Sequence, residues 1–215
     1  MRGYPRDITD LIPVTAEAVT DPSWLAEQLA ATARRYRLGR PASVGVLWWY
    51  SASSVLLGPV AESVVRGGPV ADPALAAVTL FLHPDGRVLD ARATGVIPAD
   101  GLGVRLRGAL SAAVSAVAAA SGAREPALFA IATDSLANRV LWAGGTSSVA
   151  VDLAATVGSL PVPRYVSVAG TRVVRRASCC LIYEAPGETK CVSCPRQHPD
   201  ERRGRLVAQL GGTTR

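Results

Sequence analysis

Four cysteines stand within sixteen residues near the end of the chain, Cys179, Cys180, Cys191 and Cys194, in the spacing C-C-x10-C-x2-C, and none of the first 178 residues is a cysteine. Buried core cysteines are expected to scatter. Thiols bunched in this way force the segment that carries them to fold around a shared centre, either disulfides or a metal. Nothing in Met1 to Asp10 suggests export to an oxidising compartment: the segment mixes charges of both signs, includes Gly3 and Pro5, and has no apolar run. The thiols therefore read as metal ligands.

Zinc and an iron-sulfur cluster are the two candidates. Structural zinc is tetrahedral and favours two C-x2-C knuckles, one pair of ligands from each. Only Cys191 and Cys194 have that form. Neighbours in an extended chain project to opposite faces, so Cys179 and Cys180 reach one small ion only if the backbone bends. A binuclear cluster spreads its ligand positions over a larger body and relaxes that demand. The simplest division puts Cys191 and Cys194 on one iron and the vicinal pair on the other, an assignment that spacing alone leaves open.

The remaining sequence is that of a folded globular protein. At 215 residues it can bury a full core, and 49% hydrophobic with 19% charged residues excludes disorder. Pro41 to Ala61 carries no charge and approaches the length of a membrane span, but its serines, glycines and Pro59 favour a buried helix over a transmembrane segment. The net charge is +6, and from Arg172 onward nine basic residues face four acidic ones. Such an excess can serve nucleic acid. With no RNP-like motif, no C2H2 finger and 5% aromatic residues, no nucleic-acid partner is expected.

Local signals predict an α+β fold. Asp21-Pro22 starts a helix ending near Gly39, with Trp24, Leu25, Leu29 and Tyr36 on one side. A second helix covers Ala42 to Val65, broken at Gly58-Pro59. Leu75 to Leu82 and Arg87 to Ala93 form a hairpin through His83-Pro84-Asp85-Gly86. Helices follow over Gly103 to Ala120, Pro126 to Trp142 and Thr146 to Val157. Beyond Pro161 and Pro163 the chain reads as extended, with strands over Tyr165 to Val168 and Thr171 to Tyr183. The expected division is a mainly helical domain with a small antiparallel β element over 1–160 and a cysteine-ligated cluster region over 161–215.

Other chemistries lack their residues. No G-x-G-x-x-G follows a strand, and no P-loop is present. His83 and His198 are the only histidines, which disfavours a catalytic triad and a two-histidine Rieske site. His198 lies close enough to Cys194 to serve the cluster or simply to face water. Trp48, Trp49, Tyr50, Trp142 and Tyr183 are candidate pocket walls. Consecutive Trp48 and Trp49 cannot share a helix face, which predicts one in the core and one at a surface or pocket.

The stretch Val174-Arg175-Arg176-Ala177-Ser178-Cys179-Cys180-Leu181-Ile182-Tyr183, followed by Cys191-Val192-Ser193-Cys194-Pro195, resembles the C-terminal signature of FhuF-type siderophore-iron reductases. The spacing matches that family's motif residue for residue, while the preceding part is similar only in helical character. The family's Trp-Gly-Asn-like segment corresponds here to Leu141-Trp142-Ala143-Gly144-Gly145, without the Asn. The resemblance implies a 2Fe-2S cluster on Cys179, Cys180, Cys191 and Cys194 and a cytoplasmic oxidoreductase of iron acquisition. Such a protein takes an electron from a donor such as a ferredoxin, flavodoxin or reductase, and reduces a ferric siderophore. Arg175 and Arg176 are the candidate contacts to an anionic chelate. The rival readings are a zinc-stabilised module and a 2Fe-2S carrier or sensor that does not act on siderophores.

Overall fold

A computed structural model describes residues 11–211. Met1 to Asp10, on which the export reading rests, lies outside them. The strands are β1 (Ile12–Thr15), β2 (Val70–Ala71), β3 (Val78–Leu82), β4 (Val88–Ala93), β5 (Val96–Ile97), β6 (Tyr165–Val168) and β7 (Thr171–Val174). The helices are α1 (Pro22–Tyr36), α2 (Pro41–Leu56), α3 (Gly58–Arg66), α4 (Leu102–Ser121), α5 (Glu125–Trp142), α6 (Ser147–Val157) and α7 (Pro199–Gly211). Strands β1, β3 and β4 form an antiparallel sheet in that order, while β2 pairs with β5 and β6 with β7. The fold is α+β, with the helices packed around α2.

The boundaries of α1 follow from its capping residues. Asp21 accepts hydrogen bonds from the Ser23 and Trp24 backbone N–H groups at 2.8 and 2.9 Å, with Pro22 in the first turn. These bonds satisfy donors that a helix N-terminus leaves without partners. Arg37, at φ 53°, turns the chain out of α1. The expected break at Gly58-Pro59 divides α2 from α3. Gly144 and Gly145 part α5 from α6.

Helix α2 explains the uncharged stretch. It packs against α1, α4, α5 and β4, and Ser43 to Trp49 are buried without interruption. Trp48 and Trp49 are therefore both core, 4% and 0% exposed, rather than one inside and one at a pocket. The face argument fails because this helix has no solvent side over that span. Trp49 Nε1 donates to the Leu128 carbonyl of α5 at 2.9 Å, and the hydroxyls of Ser53 and Ser135 lie 2.9 Å apart across the same contact. By length and composition Pro41–Arg66 and Ala99–Ser121 could each cross a membrane, but 72% of the most apolar window of the first is buried inside this protein.

The extended reading of Thr171 to Tyr183 holds only as far as Val174. Bends at Ala177 and Ser178 and a short 3-10 turn over Ile182–Glu184 replace the strand. Leu75–Ala77 is likewise a 3-10 turn before β3. Helix α7 and strand β1 were not expected from the sequence.

Candidate metal centre

The cysteine segment lies against α2 and α5. Asp134, in α5 and 3% exposed, accepts hydrogen bonds from the Ala177 N–H at 3.0 and 3.1 Å and from the Ser178 N–H at 3.2 Å. Ser43 of α2 donates to the Glu184 carboxylate, between Cys180 and Cys191. Val174, Cys180 and Ala185 belong to the same buried cluster as the helices. The loop is thus held at its start and midway by residues more than forty positions away in sequence.

The backbone bend that a vicinal pair requires is present. Leu181 adopts a left-handed conformation, φ 61° and ψ 13°, uncommon for a residue with a Cβ and costly unless its surroundings hold it. The turn that follows brings backbone donors back onto the two thiols. The Leu181 N–H donates to Cys179 Sγ at 3.4 Å, and the Ile182 N–H to Cys180. On the other half, the Cys194 N–H donates to the Cys191 carbonyl at 3.0 Å, forming the turn of the C-x2-C knuckle. Gln197 Nε2 donates to the same carbonyl at 2.6 Å.

The four thiols gather in one place. Cys179 and Cys194 sulfurs lie 3.4 Å apart, and Cys180 and Cys191 share the Arg176 guanidinium. Cys179, Cys180 and Cys194 are buried and Cys191 is partly exposed. The hydrogen bonds from Cys179 and then Cys191 hold the Cys180 thiol well below its ordinary range, against the opposing effect of burial, with help from the Ile182 N–H and Arg176. Donation to Cys180, together with burial, pushes Cys179 and Cys191 up.

Arg176 is the cation of the site. It is 6% exposed, and Nη1 donates to Cys191 Sγ at 3.5 Å and reaches Cys180 Sγ at 4.0 Å. Its Nε lies 3.7 Å from Asp134 Oδ2, and its guanidinium sits over the Tyr50 ring, 4.6 Å from the centroid. Burial pushes the Asp134 carboxyl up to about 6, opposed by the Ala177 and Ser178 N–H groups and by Arg176. Burial likewise raises Tyr50, which keeps its phenol neutral. The expectation that Arg176 contacts a chelate conflicts with this placement, because its guanidinium is enclosed by the thiols, Asp134 and Tyr50. Arg175 is exposed.

The remaining candidates are placed as follows. Trp142 is 62% exposed, with Arg139 over its ring at 5.5 Å. Arg196 donates to the Tyr183 hydroxyl at 2.5 Å. The His198 side chain is 73% exposed and lies 3.5 Å from Asp200, which makes it a surface residue. Sequence reasoning missed Asp134. Its signal was Thr133-Asp134-Ser135, three polar residues in the middle of an apolar helix, all of them buried.

These residues fit a binuclear iron-sulfur group. Four thiols come from one short segment, three of them buried, with Cys179 and Cys194 sulfurs 3.4 Å apart, and four thiolates are the ligand set of a two-iron cluster. Arg176 Nη2 is buried without a protein hydrogen-bond partner, and the inorganic sulfides of such a group are acceptors. Backbone N–H and guanidinium donors aimed at thiolate sulfurs are the protein's means of tuning such clusters. Fold and site together define an iron-sulfur protein whose cysteine loop is built onto a helical body. Residues 176–196 match the FhuF 2Fe-2S C-terminal domain family, which supports a 2Fe-2S cluster on this segment. No curated protein matches the chain.

Proposed function

We propose that the protein is a ferric-siderophore reductase, with Cys179, Cys180, Cys191 and Cys194 as the cluster ligands. The observation that supports this is the set of four thiols beside Arg176 in a segment that matches the FhuF 2Fe-2S family. When bound, the cluster supplies one-electron chemistry. One electron from a protein donor of ferredoxin or flavodoxin type converts one chelated ferric ion to ferrous ion, and no proton or hydride has to move. Siderophores hold iron through hard oxygen donors that suit the ferric ion better, so reduction loosens the chelate.

The chain's own residues set where this happens. Cys179, Cys180 and Cys194 are buried, which leaves Cys191 as the ligand nearest solvent. Its neighbours Lys190 and Arg196 are held in place, Lys190 Nζ donating to the Arg196 carbonyl at 3.0 Å and Arg205 to the Lys190 carbonyl at 2.9 Å. These cations and exposed Arg175 are the proposed contacts for an anionic chelate. Residues 1–160 are proposed to supply the rest of the substrate site, and 161–215 the cluster region. The proposed compartment is the cytoplasm, where thiols stay reduced.

The test is anaerobic purification with iron, zinc and sulfide assays, followed by adding a ferric siderophore to dithionite-reduced protein. About two irons and two sulfides per chain, with colour returning as ferrous ion forms, support the proposal. A colourless zinc protein would overturn it. A cluster that stays reduced in the presence of the chelate would leave a carrier or sensor instead.

A further inference from the structure

The contacts of the sulfurs carry information that the cysteine spacing does not. Cys179 and Cys194 sulfurs touch at 3.4 Å, whereas Arg176 Nη1 lies 3.5 Å from Cys191 Sγ and 4.0 Å from Cys180 Sγ. These two groupings give the pairs Cys179 with Cys194 and Cys180 with Cys191. The division suggested by spacing would place Cys191 and Cys194 on one iron and separate each from the sulfur grouped with it.

We propose that Cys180 and Cys191 hold one iron and Cys179 and Cys194 the other, and that Arg176 makes the Cys180/Cys191 iron the one that accepts the electron. Reduction adds one negative charge and moves no proton. A fixed cation stabilises that charge most where it is nearest, because the interaction falls with distance and is strengthened by a poorly solvated setting. Arg176 is 6% exposed and its Tyr50 and Asp134 contacts fix its position, so water does not screen it. Cys191, on the same pair, is also the ligand open to solvent. The electron would therefore reside on the side facing a donor or chelate, while Cys179 and Cys194 anchor the buried iron. Asp134 acts against Arg176: its carboxylate holds the guanidinium in place and offsets part of its charge.

The inference rests on the cluster and its four ligands, not on the chelate reaction, and its test uses no siderophore. Redox titration of the holoprotein at pH 8 is expected to show a lower potential in Arg176→Gln. The loss should be at least about tenfold in the ratio of reduced to oxidised protein, or about 59 mV for one electron. Arg176→Lys should recover most of that loss. Asp134→Asn, which keeps an acceptor for the Ala177 and Ser178 N–H groups, should raise the potential. A merely structural role would move the Arg176→Gln and Asp134→Asn potentials the same way, and that result, or no shift in Arg176→Gln, overturns the proposal. Pairing is read on the unaltered reduced protein with labelled cysteine. Cysteine β-protons on ferrous and ferric iron respond oppositely to temperature. Cys180 and Cys191 should share the ferrous behaviour, and Cys191 behaving with Cys194 would overturn the assignment.

Discussion

Asp134 shows how much can depend on one side chain. Replacing it with alanine removes the acceptor for two backbone donors and leaves the Arg176 guanidinium buried without its counter-ion. Breaking a buried pair from one side costs about 3–5 kcal/mol, so Asp134→Ala should lose about that much in urea unfolding, and Asp134→Asn, which removes the charge but keeps an acceptor for the two backbone donors, should lose less by about 1–3 kcal/mol. Equal losses in the two variants would show that the carboxylate's charge, not its acceptor role, is what matters. Packing makes a similar demand at Gly103, where an added Cβ would lie 2.6 Å from the Thr156 carbonyl oxygen of α6. Backbone cannot yield as a side-chain tip does, so Gly103→Ala should destabilise by about 1–3 kcal/mol, seen as a lower urea midpoint with an unchanged slope.

Elements were legible where a local device defines them. Asp21-Pro22 and the hairpin turn at His83-Pro84-Asp85-Gly86 name their own structures, and both form as read. The hairpin turn also does more than its sequence says. Asp85 accepts from Arg35 of α1 at 2.9 Å and from Arg87 at 3.0 Å, and its carbonyl accepts a second Arg35 bond at 2.7 Å. Partial burial pushes the Asp85 carboxyl up, but the hydrogen bonds from Arg35, Arg87 and His83 outweigh it and hold the group well below its usual range. A depressed carboxyl contributes stability above its unfolded pKa of about 3.9 and loses it as pH falls toward the folded value. Through Asp85 the protein should lose stability as pH falls below about 4. Asp85→Asn should be less stable at pH 7 and show a shallower acid loss, while parallel curves would remove Asp85 from the account.

What was illegible depended on distant partners. Nothing local says that the strand through Arg175 must stop, because the bend is held by Asp134, forty-three residues from Ala177 in sequence. Helix α7 did carry a signal, Pro199 followed by Asp200 and Glu201 at its start, the arrangement favoured at a helix N-terminus. The two tryptophans were misplaced because a face argument assumes a helix with a wet side. The cysteines were readable as a set because their clustering is a property of the sequence. Their order in space is not.

Over the whole molecule, charge and burial are divided between the two ends of the chain. The helical body holds nearly all of the core, whereas the basic excess lies from Arg172 onward, on and around the loop that carries the thiols. Two consequences can be measured separately. Removing the cluster should leave the helices folded and free the loop, because ligand binding and local order are linked. Hydrogen exchange should then accelerate over residues 176–197 while α2 and α5 stay protected, and uniform loss of protection would instead make the cluster part of the global fold. Exposed cations are also screened by salt, with a Debye length of about 10 Å at 0.1 M falling to about 3 Å at 1 M. If Lys190, Arg196 and Arg175 gather an anionic chelate, its reduction by the protein should slow as salt rises, and a neutral chelate should be nearly indifferent. Lys190→Glu with Arg175→Glu should reproduce the high-salt rate in low salt without changing the amount of cluster bound. A salt response shared equally by both chelates would place the effect on the electron donor, and the basic face would then be a protein-docking surface.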